Sequence, residues 1–588
     1  MKRSTENGLR MNGSGPLTLH PLRPRLRPRL MRITAGGIAV IVALCLAGCS
    51  GIPRSGVVRQ GEPVMQADTN AIEFLPASPA ANASPEQILR GFLDAASSPQ
   101  DDFAIARQFL GTAFKTQWNA SASVVVDSGV RGVQQPETDA ADLSTISMAV
   151  VDARGQYSEV NPATPLSRRY SFVKEGGQWR ISAAPEGLLI DRFTFDQVFM
   201  PHALYFYDPT FTHLVPDLRW FPSGSSTTTR IMKALLGGPA PWLAEGGAVI
   251  TAFPAGTQLV ADAVPIAGRV ALVDLTPQAL DSSGVGMQRM ETQATVSLNS
   301  VDTVSEVQLR VDGNVQSLAP VTNPTLDLSN RVDSRPVVVQ SGKFGFLSGD
   351  TIAPIAGLSE AIEPLGASAI ATSSGLNVAA ALTASGMVMI RPVIGVTPLD
   401  SRPGLISPSI DSSNYIWSVP QTAPTEIRIY STEGQASSLA APWPAASRIV
   451  SLKVARDGTR LVALLEQSGT TKFVAANIQR GDRNRPIAIG APISLAAETG
   501  VPIDAAWANP LTAVSLVTSP DGTSRMMTQS IGGHSQSLPV STAIVSLAGA
   551  NLITQLRIRD AGNKLYVLRG NSYWQLIASD VSLLAALQ

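Results

Sequence analysis

Cysteine, histidine, paired acids and exposed aromatics are the side chains that carry most protein chemistry, and this sequence spends few of them. Its two cysteines, Cys45 and Cys49, lie four residues apart in one apolar N-terminal stretch. If that stretch is processed, Cys45 leaves with it and the mature chain has no possible disulfide, so cysteine-bound zinc, thiol catalysis and redox switching fall away together. His202 and His213 flank the Asp208-Pro209 turn, where a hairpin would let them face each other. No third ligand stands at metal spacing, and they read as a packed or hydrogen-bonded pair; His534 stands apart.

The nucleophile elbow Gly-x-Ser-x-Gly, the dinucleotide pattern Gly-x-Gly-x-x-Gly and the P-loop are all missing. Two acids converging from distant loops would suffice for glycoside hydrolysis, but the adjacent pair Asp101-Asp102 falls at an expected helix start, where compensation of the helix dipole accounts for it. Trp220-Phe221 and Trp242 bracket an expected helix and would pack a core or a domain contact, or line a groove. Arg456 and Arg460, on a turn, read as a solvated loop rather than an anion site. The sequence offers no catalytic residue, no metal set and no cofactor motif, and the expectation is a non-enzyme.

The N-terminus is more specific. Residues 1–32 carry eight basic side chains and one acid, followed by the uncharged run Ile33 to Gly48. As a helix that run spans about 24 Å, short of a membrane crossing, and it fits the apolar region of a signal peptide. Its end, Leu46-Ala47-Gly48-Cys49, resembles the bacterial lipobox. That resemblance implies cleavage between Gly48 and Cys49, with Cys49 becoming an S-diacylglycerol, N-palmitoyl cysteine. Two thioether-borne acyl chains suffice for stable anchoring to the plasma membrane, with the folded part on the extracytoplasmic face. An uncleaved signal anchor is the other reading of the same run.

A chain of 588 residues with 44% hydrophobic content suggests three or four folding units. Lysine plus arginine equals aspartate plus glutamate at 45 each, which argues against nucleic acid as a partner. The expected organisation is a signal peptide over 1–48, a lipidated cysteine and proline-rich tether over 49–83, a small α+β domain over 84–197, a second over 198–325, and an all-β domain over 336–588. Ser84-Pro85-Glu86-Gln87 reads as a capping box opening a helix with Ile88, Leu89, Phe92 and Leu93 inward. A second helix is expected over Asp102 to Phe109, then strands over 122–126, 147–152, 170–174 and 178–182. In the second unit the hairpin around Asp208-Pro209 precedes a hydroxyl-capped helix over 227–236, strands over 258–260 and 269–274, a helix over 286–300 and a strand over 306–311.

Beyond Pro336 helical periodicity stops, and turns at Asp411, Asp457, Asn509 and Asp560 each precede a short apolar run. Their spacing of roughly 50 residues is close to one four-stranded propeller blade, giving five or six blades with a weaker copy at Ser374-Gly375-Leu376; stacked sandwiches are the competing all-β arrangement. Leu46-Ala47-Gly48-Cys49-Ser50-Gly51-Ile52-Pro53, the helix Arg230 to Leu236 running into Gly238-Pro239-Ala240-Pro241-Trp242-Leu243, Thr251-Ala252-Phe253-Pro254 and Arg456-Asp457-Gly458-Thr459-Arg460 together resemble the LpqB-type lipoproteins of actinobacteria. The resemblance implies that the middle unit is a GerMN module and the last a β-propeller. It also implies an accessory role to the Mtr two-component system in cell-envelope and cell-division signalling, through the extracytoplasmic part of a sensor histidine kinase. The residues themselves leave open a second role, binding of cell-wall glycan or peptide on the tryptophan-rich faces.

Overall fold

The computed structural model describes residues 76–318 and 331–588, except 541 and 571. The signal and lipidation residues Gly48 and Cys49, and most of the expected tether, lie outside the described residues.

The first helix, Pro85–Ala95, starts as its capping residues dictate. The Ser84 hydroxyl accepts from the Gln87 amide at 3.3 Å, and the Gln87 side chain accepts from the Ser84 amide at 2.8 Å. Ile88, Leu89, Phe92 and Leu93 are all buried against a six-stranded sheet whose main path runs 178–183, 157–175, 140–152, 123–127, 188–191. Phe92 meets Trp118 edge-on at 5.2 Å between ring centroids, an aromatic contact that adds about 0.5–1.5 kcal/mol to area burial. Order reaches slightly further back than the sequence suggested, since Ala83 already joins this core.

The expected second helix does not form. Asp101, Asp102 and Phe103 take left-handed backbone angles, and only Ala106–Phe109 makes a 3₁₀ turn. Phe103 and Phe109 are both inward as expected, but about 120° apart on an ideal α-helix they would lie at the two edges of its apolar face. A loop and a 3₁₀ turn bring both into one core instead. Asp101-Asp102 therefore sit at no helix start, and Asp102 instead pairs with Arg107. The strands are longer than their apolar runs: Ala140–Asp152 has 13 residues and Tyr157–Glu175 has 19.

The second unit begins with the antiparallel pair Phe199–Tyr207 and Leu214–Pro222, in which His202 lies opposite Arg219. Helix Thr227–Leu236 is not capped by a hydroxyl as expected: Ser226 makes no capping bond, and the Thr227 hydroxyl donates to the Pro222 and Gly224 carbonyls at 3.1 and 2.8 Å. Strands Val270–Leu275 and Glu306–Val311 pair in parallel across the helix Gly284–Leu298. The strand expected over 258–260 is reduced to one bridge between Leu259 and Leu275.

The remainder is an all-β propeller of six blades, five of four strands and one, beginning at Arg448–Val454, of five. Their inner strands are Val581–Leu587, Ala369–Thr372, Ser409–Ile410, Arg448–Val454, Val501–Trp507 and Ile544–Ala548. Val581–Leu587 closes the ring: it pairs antiparallel with Val337–Gln340, and its end pairs in parallel with Ala369–Thr372. The turns after inner strands at Asp411, Asp457 and Asn509, and the turn at Asp560 after Arg557–Asp560, the second strand of the last blade, are built as their residue types require. Asp411 accepts from the Tyr415 amide at 2.9 Å, Asp457 from Thr459 at 2.9 Å, Asn509 from Thr512 at 2.8 Å and Asp560 from Lys564 at 2.9 Å. The described residues form one compact unit. The architecture is multidomain, α+β modules followed by an all-β propeller.

Candidate functional site

Only one of the three expected histidine placements makes contact between modules. His202 and His213 do not face each other: His202 is buried with Nδ1 at 2.9 Å from the Ser300 hydroxyl, and His213 has Nδ1 at 3.0 Å from Thr212 Oγ1. Among the described residues no three histidine, cysteine or acidic side chains are grouped to hold a metal. His534, which sequence reading left alone, proves central.

His534 lies in the turn between Ser524–Ser530 and Ser535–Pro539 of the fifth blade. Its Nδ1 is 2.7 Å from the Tyr157 hydroxyl and its Nε2 is 2.8 Å from Asp196. The ring stands 4.6 Å from Tyr157 and 4.7 Å from Trp220 by centroid. One imidazole thus touches all three modules. Burial holds its pKa below the ordinary value, with Arg192 adding to that and Asp196 opposing it. The same burial pushes the Tyr157 hydroxyl up, so the phenol stays protonated.

Charged side chains complete the joint. Arg219 is fully buried and grips Asp217 through Nε at 3.0 Å and Nη2 at 2.6 Å, while its Nη1 donates to the Arg154 carbonyl of the first module at 2.9 Å. Asp217 in turn accepts from the Ala240 amide at 2.8 Å. The Trp220 indole donates to the Gly532 carbonyl at 2.9 Å, so of the two roles open to Trp220 the structure selects the domain contact. Gly155 is required beside it: its φ is +81°, and a Cβ there would lie 2.9 Å from Phe221 and 3.0 Å from the Trp220 carbonyl. Phe221 is core. The Asn477 amide donates to the carbonyls of Trp242 and Glu245 at 2.8 and 2.9 Å, pinning the second module to the fourth blade.

Arg456 and Arg460 correct the sequence reading, because neither sits on a solvated loop. Arg460 is 1% exposed, is paired with Asp457, and donates to the Pro510 carbonyl at 2.8 Å. Arg456 is half-buried and donates to the Ala550 carbonyl at 2.9 Å. Turns are solvated by default, but these two point inward because the blade core closes over them.

Between the modules lies a cavity of about 800 Å³. Trp242 and Phe473 give it apolar wall, and Gln156, Lys472, Glu498 and Gln529 give it polar groups of both charge signs. The Gln156 side-chain nitrogen is buried and makes no hydrogen bond. Such a mixture suits binding of a polar molecule with an apolar face. No nucleophile and base are joined in it.

Two family descriptions match the two ends of the chain: "Lipoprotein LpqB, N-terminal domain" over residues 78–196 and "Lipoprotein LpqB beta-propeller domain" over 338–583. The chain belongs to the LpqB lipoprotein family. A third description, "Sporulation and spore germination", covers residues 203–317 between them. Relatives named Lipoprotein LpqB include one from Bifidobacterium longum, 26% identical over 77% of this chain and 80% of its own length. Another, from Cutibacterium acnes, is 29% identical over 49% of this chain and 48% of its own; the match thus spans about half the length of that relative. Among solved structures, TolB from Acinetobacter baumannii aligns at 12% identity and a TM-score of 0.33, covering 43% of this chain and 66% of that one. The first GerMN domain of GerM from Bacillus subtilis aligns at 21% identity and a TM-score of 0.17, covering 22% of this chain and 94% of that domain. The family's two LpqB modules and the sporulation module between them correspond to the α+β parts and propeller described above.

Proposed function

We propose that this LpqB family member is a lipid-anchored protein of the extracytoplasmic membrane face, held through Cys49 after cleavage at Gly48, and that it acts without catalysis as an accessory of an Mtr-type sensor histidine kinase. The lipobox-like junction and the lipoprotein names of its relatives support the anchor. The domain divisions near residues 84, 198 and 336 belong to the same proposal. The observation that carries the non-catalytic reading is how charge is used. Arg219, His534 and their acids fasten one module to the next, and Arg460 with Asp457 ties neighbouring blades, rather than converging on a cleft. A fastened body suits presentation of a fixed surface to a partner.

A tethered partner shares the kinase's surface, so effective concentration is high and a weak contact is populated. Such a contact changes signalling only if it prefers one kinase state, by typically about 1–3 kcal/mol. The test is kinase autophosphorylation in membranes with and without the lipoprotein, at matched lipid density, alongside binding to the isolated sensor domain. A change in phosphorylation with direct association is expected; the absence of both sinks the reading. The anchor is tested separately: Cys49→Ser should leave the membrane fraction or accumulate as uncleaved precursor. The alternative, a cell-wall glycan or peptide binder, draws on the inter-module cavity and Trp242, and saturable binding of purified wall fragments with no protein partner would favour it.

A further inference from the structure

Where the inner strands converge on the propeller axis, at the end that leads into the turns at Asp457 and Asn509, a cavity of about 40 Å³ is lined by residues of four blades. Lys453 and Arg456 both line it, and no acidic side chain does. Lys453 is 7% exposed, and among the described residues its ammonium group makes no hydrogen bond and no ion pair. The carboxylate that acts on it is Asp504, which is already engaged: it accepts from the Ser451 hydroxyl at 3.0 Å, the Ala505 amide at 2.9 Å and the Leu547 amide at 3.2 Å. Arg456 reaches only neutral acceptors, the Ala550 carbonyl at 2.9 Å and Asn551 Oδ1 at 3.4 Å. Arg557 adds a like charge to Arg456, and the Asp333 that offsets it is held by Arg335. Gln588 shares the cavity wall, and no ion pair joins it to either cation.

Burial pulls the Lys453 ammonium below its ordinary range and Arg456 to about 10. Buried cations are normally paired, and in this same propeller they are: Arg460 with Asp457, Arg480 with Asp411, Arg402 with Asp400. Lys453, Arg456 and Arg557 have no such partner among the described residues, and of these Lys453 and Arg456 line one cavity. A single water needs roughly 10–15 Å³ of such space, so the cavity has room for a small anionic group such as a carboxylate.

We infer that the axial cavity binds one carboxylate, held between the Lys453 ammonium and the Arg456 guanidinium. The carboxylate comes either from a small organic acid or from the end of a peptide reaching the axis. This site is distinct from the inter-module cavity and does not depend on the signalling role proposed above.

Calorimetric titration of the detergent-solubilised full chain with sodium acetate and with triglycine, using triglycine amide as control, tests it. Saturable uptake of acetate is expected, and triglycine binding in addition, lost with the amide, assigns the source to a chain end. Lys453→Met and Arg456→Gln should each weaken uptake by about tenfold or more, the loss expected on removing one charged hydrogen bond. No saturable uptake of acetate, or uptake unchanged by both substitutions, overturns the site.

Discussion

Two buried regions of this molecule hold arginine or lysine side chains in opposite ways. At the joint between modules, Arg219 is matched by Asp217, by the Arg154 carbonyl and by tight packing. At the propeller axis, Lys453 and Arg456 share a cavity with no acidic wall. The first arrangement returns in contacts what desolvation costs; the second leaves that cost standing unless an anion arrives. Charge at the joint is structural, and charge at the axis is held in reserve.

The same replacement should therefore have opposite effects in the two places. Arg219→Met strands Asp217 in a dry interface and should cost about 3–5 kcal/mol, read as a lower denaturant midpoint. A midpoint unchanged by that replacement would break the comparison. Lys453→Met removes an unpaired buried cation and should raise stability by about 1–3 kcal/mol in anion-free buffer. A marked loss there would mean that Asp504 pairs Lys453 well enough, and the axis would then resemble the joint.

Smaller effects sharpen the picture of the joint. Gly155→Ala forces a side chain into a left-handed position against Phe221 and should cost about 1–3 kcal/mol, checked by thermal unfolding. Trp220→Phe keeps the apolar contact but deprives the Gly532 carbonyl of its donor, for about 0.5–1.5 kcal/mol. The smallest effect is the pH response of His534. Burial lowers its folded pKa from 6.5, so its contribution to stability is fully present above pH 6.5 and is lost as pH falls through the folded value. Unfolding midpoints measured across that window should decline with acid, and His534→Gln should flatten the decline. An unchanged slope in the variant would assign the acid sensitivity to other groups.

Local chemistry was legible where a residue's role depends on its chain neighbours. The Ser84-Pro85-Gln87 box and the aspartate turns of the blades formed as their residue types require, because each satisfies backbone amides only a few positions away. The helix expected over 102–109 did not form: Asp101, Asp102 and Phe103 take left-handed angles, and Phe103 and Phe109 reach one core along a loop and a 3₁₀ turn. The lengths of Ala140–Asp152 and Tyr157–Glu175 were hidden because their outer faces are polar and exposed, so the apolar runs marked only part of each strand.

The sequence by itself determined the pattern from which the modules are read: a basic and then apolar stretch running to Cys49, the α+β patterning, and the repeat that becomes blades. Those are properties of composition and short-range spacing, which survive without knowledge of distant contacts. Tertiary structure alone decided what the isolated residues do. His534 meets Tyr157 and Asp196 across more than 330 positions of chain. Arg456 and Arg460 look alike on one turn, yet Arg460 is neutralised by Asp457 while Arg456 faces the axis, because inner strands from separate blades converge there. Which side chains are desolvated, and which find a partner on the way in, depends on how distant strands pack, and no local pattern encodes that.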